Sequence, residues 1–158
     1  MHHLVQKRID INAVNKKIKV QLWDTAGQEK YRAITKNLFL KVQGVLIVYD
    51  ITNENSFSSL KSWVKTIKDE CGKQMQMLIV GNKNDLDEQR VIDKNIASEY
   101  AKEEKLEYIE TSSKTGDNVQ KAITMLCEKV LDNTEITNDF SFTLDATRMS
   151  QKDKSKCC

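Results

Sequence analysis

Val45-Leu46-Ile47-Val48-Tyr49-Asp50 and Met77-Leu78-Ile79-Val80-Gly81-Asn82-Lys83-Asn84-Asp85 share one plan: an unbroken apolar run that ends in polar residues. Short β-branched runs without alternation suit strands buried on both faces of a parallel sheet. Parallel neighbours need a long crossover, and residues 56–71 supply one. There Phe57, Leu60, Val64 and Ile67 recur at helical spacing, with Trp63 beside the stripe. Ile96, Ala97, Tyr100 and Ala101 repeat the pattern, residues 106–110 read as a short strand, and Val119, Ala122, Ile123, Leu126 and Val130 mark a third helix. Alternating strands and helices predict an α/β chain with a mainly parallel sheet.

Upstream the pattern changes. Ile9-Asp10-Ile11-Asn12-Ala13 alternates apolar and polar, and so do Ile18, Val20 and Leu22 with their neighbours. With the polar Asn15-Lys16-Lys17 between them, these runs predict an antiparallel hairpin. Downstream, the periodicity fades near Asn133. Residues 133–158 are rich in Asn, Thr, Ser, Asp and Lys and are expected to form a flexible tail behind a domain spanning 1–132.

The bulk numbers exclude several classes. The chain has 158 residues, 25 Lys+Arg against 23 Asp+Glu, and a formal charge of +2. That balance argues against a nucleic-acid-binding domain run on bulk positive charge. At 39% hydrophobic the chain is not a disordered polymer. No apolar run approaches the roughly 18 residues of a membrane span, and the first eight residues carry no apolar signal core. Cys71 and Cys127 stand alone, Cys157 and Cys158 are the last two residues, and no C-x-x-C occurs. A reducing cytosolic setting without structural zinc is therefore expected.

Each predicted strand runs into a polar cluster. Asp24-Thr25-Ala26-Gly27-Gln28 follows Leu22-Trp23, Asp50 follows Val48-Tyr49, and Glu110-Thr111-Ser112-Ser113-Lys114 follows Tyr108-Ile109. In open α/β sheets, ligands bind outside the carboxyl ends of the strands. One site along one sheet edge is expected.

Here the sequence resembles the Ras-like small GTPases. Trp23-Asp24-Thr25-Ala26-Gly27-Gln28-Glu29 is similar to their switch II signature, Asn82-Lys83-Asn84-Asp85 to their guanine-reading motif, and Thr111-Ser112-Ser113-Lys114 to the loop that closes over the base. The wording is closest to the Rab branch, in Tyr31-Arg32-Ala33-Ile34-Thr35, in Val48-Tyr49-Asp50-Ile51-Thr52 and in the Cys-Cys end. One departure is Asn37-Leu38-Phe39-Leu40-Lys41, where Rab proteins usually carry an aromatic pair, Arg and Gly. The resemblance implies GTP or GDP and Mg2+ as cofactors. Asp85 would take the paired N–H donors of guanine, a pattern adenine lacks. Asn82 would tie neighbouring loops, and the stems of Lys83 and Lys114 would cover the faces of the base. Backbone N–H groups around Ser113 and Lys114 would receive the base carbonyl, beside Ser112. Asp24 would support the magnesium ion, the Gly27 N–H would meet the γ-phosphate, and Gln28 would orient the attacking water. Cys157 and Cys158 resemble a double geranylgeranylation site. Implied partners are guanine nucleotide, the Rab escort and prenylation machinery, effectors and regulators, and the cytosolic face of endomembranes through the prenylated tail, but not nucleic acid.

One expected part is missing from these residues. No Gly-x-x-x-x-Gly-Lys-Ser/Thr occurs among the 158, although a P-loop normally cradles the phosphates. The resemblance places that loop, its strand and its helix, and switch I, ahead of Ile9. The expectation is an incomplete Ras-like P-loop NTPase fold: a mixed, mostly parallel sheet with one antiparallel edge hairpin, lacking its central P-loop strand and helix. Such a chain is expected to fold poorly alone and to be a poor GTPase. Two functional readings follow. One is a Rab-like trafficking switch, N-terminally truncated in these residues. The other is a non-catalytic module that competes for Rab escort or effector proteins.

Overall fold

The structure is a computed structural model that describes residues 5–13, 16–24, 42–71 and 75–136. Strands β1 (Val5–Ala13) and β2 (Lys16–Asp24) form an antiparallel pair with Ile11 opposite Ile18 and Val5 opposite Asp24. The hairpin is longer than its alternating core alone suggested, because Val5 and Asp24 already pair. The later part is the expected α/β unit. It comprises β3 (Gly44–Asp50), helix α1 (Glu54–Cys71), β4 (Gln76–Asn82), a 3-10 segment (Asn84–Gln89), α2 (Lys94–Glu103), β5 (Glu107–Thr111) and α3 (Val119–Ile136). Helix α3 takes in residues 133–136, beyond the point where its apolar pattern fades.

Strands β3, β4 and β5 are parallel and adjacent in that order. Their side chains alternate between two faces, as the pleat requires. Ile47, Tyr49, Met77 and Ile79 join Phe57, Leu60, Val64 and Ile67 of α1 and Ala97 and Ala101 of α2 in one core cluster. Leu78 and Val80 join Ala122 and Leu126 of α3 in a second. Helices therefore cover both faces, which is why β4 reads as continuously apolar. The four α1 residues expected to face inward are the four buried there. In α2 the expectation for Ile96 fails, since it is 54% exposed. Ala97 and Ala101 hold the inward positions, and Ile92, just before the Asp93 N-cap, is buried in the same cluster. A buried residue ahead of the cap and another in the first turns is a hydrophobic staple.

The strands form two sheets, β1–β2 and β3–β4–β5, as expected of a mixed sheet that lacks its central strand. The physical reason is a gap in the ladder. The Ras-like fold places its first strand between the partners that are β2 and β3 here. Among the described residues β3 pairs with β4 alone. Next to that edge Val48 is 54% exposed. Helix α3 also lies against β1, where Ile11 is 2% exposed.

Candidate functional site

The parallel register aligns the strand ends. Asp50 pairs with Asn82, and Asn82 with Thr111, so all three polar clusters open on one edge. Asn82 is the bridge between two of them. Its Oδ1 accepts the Ser113 backbone N–H at 3.1 Å and the Thr111 hydroxyl at 3.3 Å. Its Nδ2 meets the Ser113 hydroxyl at 3.0 Å. One amide thus fixes the loop after β5 to the end of β4, using both its donor and its acceptor.

Asp85 stands one turn further on, at the start of the 3-10 segment. Ser112, wholly buried, donates its hydroxyl to Asp85 Oδ1 at 2.5 Å. The same hydroxyl accepts the Lys114 N–H at 3.2 Å and the Thr115 N–H at 3.1 Å. One donor and two acceptor positions are all a serine hydroxyl offers, so the contact is saturated and its direction fixed. Asp85 Oδ2 lies 3.9 Å from the Lys114 ammonium, whose side chain is 79% exposed. One carboxylate oxygen is anchored to the protein, and the other has only a loose cation beside it.

Backbone N–H groups around Ser113 and Lys114 were expected to receive a base carbonyl. In this structure the Ser113 N–H bonds to Asn82 Oδ1 at the end of β4, and the Lys114 N–H to Ser112 Oγ. The Lys114 side chain stays 79% exposed beside the Asp85 carboxylate, whose side chain is 14% exposed.

Lys83 adopts the left-handed conformation, φ 70° and ψ 38°. A non-glycine residue there carries strain that its surroundings must hold in place. Its ammonium reaches back across the strand ends to Asp50 Oδ2 at 2.7 Å. Asp50 is itself held, its Oδ1 accepting the Thr52 N–H at 2.9 Å and the Thr52 hydroxyl at 2.7 Å. Burial pushes the Asp50 carboxyl up, but the Lys83 and Thr52 bonds together outweigh it and hold it below the usual carboxylate value.

Other supports were not singled out from sequence. Asn84 donates to Asp117 Oδ2 at 2.6 Å, and Asn118, at φ 53°, donates to the Glu110 carbonyl at 3.0 Å. Asn84 fills the variable position of the Asn-Lys-x-Asp motif, so its type carried no signal. Beneath the site, Arg90 pairs with both Glu110 oxygens at 2.8 and 3.0 Å. Tyr108 donates to Glu110 at 2.6 Å and meets the Tyr49 hydroxyl at 3.0 Å. Among the described residues no buried side-chain polar atom lacks a partner.

Residues 3–132 match the sequence profile of the Ras family. The chain belongs to the Ras family. It is 35% identical over 144 residues to Ras-related protein Rab-10 of Diplobatis ommata, which covers 90% of this chain and 72% of that protein. It is 41% identical over 124 residues to Ras-related protein SEC4 of Saccharomyces cerevisiae, 78% of this chain and 56% of that one. It is 38% identical over 121 residues to Ras-related protein Rab-13 of Canis lupus familiaris, 77% and 60% respectively. The chain is a Rab-like member, and it spans between 56% and 72% of the length of these relatives.

The family's guanine nucleotide can be tested against the residues present. Asn82, Lys83, Asp85, Ser112, Ser113 and Lys114 come together at one sheet edge, as recognition of a base would require. The magnesium ion does not gain the same support. Asp24 ends β2, in the other sheet, and is exposed. Among the described residues there is no group of three or more His, Cys, Asp or Glu that could hold a metal. Gly27, Gln28, Cys157 and Cys158 lie outside the described residues. Among the described residues no helix is long and apolar enough to cross a membrane.

Proposed function

We propose that this chain reads the guanine base of GDP or GTP with Asp85, as the base-recognition half of a Rab-like switch in vesicle trafficking. The observation that carries the reading is the Ser112–Asp85 hydrogen bond at 2.5 Å. It ties the Asp85 carboxylate, just after β4, to the loop that follows β5. Two acceptor oxygens suit the paired N–H donors of guanine, and adenine would leave them unpaired.

The rest follows from kinship with the Rab branch. Asp24 would support Mg2+ through water, the Gly27 N–H would meet the γ-phosphate, and Gln28 would orient water. Cys157 and Cys158 would carry two prenyl chains, enough for stable anchoring on the cytosolic face of endomembranes. Escort and prenylation proteins, effectors and regulators would be its partners. The 158 residues hold no P-loop motif, so these residues alone should grip phosphate weakly and hydrolyse GTP poorly. The Cys-Cys end on a body without that motif supports the second reading, a module competing for escort or effector proteins.

Titration of the 158-residue chain with fluorescent GDP, with and without Mg2+, tests the phosphate half. Weak binding that ignores magnesium is expected. Submicromolar, magnesium-dependent binding would overturn it.

A further inference from the structure

We infer that Asp50 is a positioning residue for the base site: it holds the Lys83 ammonium away from Asp85, so that Lys83 does not occupy the guanine-reading carboxylate. The inference rests on the guanine reading above and adds to it a residue at the end of a different strand.

Three observations meet here. First, Lys83 lies two residues before Asp85 and is the nearest cation in sequence to that carboxylate. A lysine stem with four rotatable carbons can fold onto a carboxylate so close in the chain. A cation bound there would occupy the oxygens that the base must use. Second, the Lys83 ammonium is instead 2.7 Å from Asp50 Oδ2, at the carboxyl end of β3. Asp50 cannot follow the lysine, because Thr52 holds its other oxygen by two bonds, from N–H and from hydroxyl. Third, the two lysines of the site are treated differently. Lys83 is tied down on the β3 side, whereas Lys114 is 79% exposed and only 3.9 Å from Asp85 Oδ2.

The arrangement ties one lysine and leaves the other less held. Lys83, in the left-handed conformation and 48% exposed, is paired toward β3 and set in place before a base arrives. Pre-organisation lowers the ordering cost of binding. Lys114 is left to close from the other side. Neutralising Asp50 would release the Lys83 ammonium, and the nearest remaining carboxylate along the motif is Asp85.

Asp50→Asn separates this role from a structural one. The asparagine carbonyl still accepts from Thr52, so the turn after β3 stays capped while the charge is gone. The test is calorimetric titration of wild type, Asp50→Asn, Lys83→Met and the double variant with guanosine and with adenosine, alongside thermal melts. Expected is a loss of about three- to fivefold in guanosine affinity for Asp50→Asn, the scale of a partly exposed ion pair. The melting temperature should be unchanged and adenosine binding unaffected. In the Lys83→Met background the same Asp50→Asn change should cost nothing further. Equal guanosine affinity in wild type and Asp50→Asn, or an equal cost in both backgrounds, would overturn the positioning role while leaving the base reading intact. A wild-type chain that does not prefer guanosine would overturn the base reading itself, and this inference with it.

Discussion

The Ser112 hydroxyl donates to Asp85 Oδ1 at 2.5 Å and accepts the backbone N–H groups of Lys114 and Thr115 on the same oxygen. A single buried atom therefore sets both the carboxylate and the loop beside it. Ser112→Ala should remove both. Stability should fall by about 1–3 kcal/mol, because two backbone donors lose their acceptor. Guanosine affinity should fall about fivefold or more as Asp85 loses its fixed orientation. Urea melts and calorimetry on the same preparation would show the two losses together.

Asp85→Asn changes what the site asks of a base. The carboxylate accepts two N–H donors, whereas the amide offers one acceptor and donors of its own. Guanosine should bind at least tenfold more weakly, in the range of a lost charge-assisted hydrogen bond. Xanthosine, which carries an oxygen where guanosine carries the amino group, should bind better to the variant than to wild type. Unchanged guanosine preference would remove Asp85 from its assigned role.

Gly81 is where the backbone of β4 passes the tyrosine pair. A Cβ there would lie 3.0 Å from both the Tyr49 and the Tyr108 hydroxyls and 3.2 Å from Ile51 Cγ2. The two hydroxyls are held in a bonded network, so they cannot simply swing aside. Gly81→Ala is expected to cost about 1–3 kcal/mol, as overpacking does. Removing a hydroxyl with Tyr49→Phe in the same chain should recover part of that loss, as chemical denaturation of the double variant would show.

Glu110 links the site floor to Arg90. Burial pushes its carboxyl up, but the Arg90 and Tyr108 hydrogen bonds and the Arg90 charge outweigh that and hold it below its ordinary value of 4.5. A carboxyl lowered on folding stabilises the protein above its unfolded pKa, and that stability is lost as pH falls through the folded value. With the Arg90 and Glu110 side chains 18% and 10% exposed, Glu110→Gln should cost about 2–4 kcal/mol at neutral pH. The gap to wild type should narrow only below about pH 4.5. A gap that stays constant down to pH 3 would show that the ion pair is not its source.

Much of this was legible in the residues themselves. The continuous runs at Val45–Tyr49 and Met77–Val80 gave parallel strands; β4 is buried on both faces under helices, whereas in β3 Val48 is exposed. The spacing of Phe57, Leu60, Val64 and Ile67 named the inner face of α1. Asn82, Asp85 and Ser112 were legible from the resemblance, since each carries chemistry in its residue type. Ile96 misled because apolar periodicity cannot tell a helix's inner face from a position 100° away when alanines share the stripe. The use of the Ser113 and Lys114 N–H groups was invisible, as backbone partners leave no mark on residue type. Asp50 was seen only as a polar strand end. Its contact with Lys83 depends on register between two strands, and a register cannot be read from one strand alone.

The central claim is that Asp85, fixed by Ser112, selects guanine. The most direct measurement is the ratio of guanosine to adenosine affinity for the 158-residue chain, by calorimetry without phosphate on either ligand. The account predicts guanosine tighter by at least about tenfold, the scale expected when buried polar groups are left unpaired by the wrong base. Equal affinities, or a preference for adenosine, would contradict it.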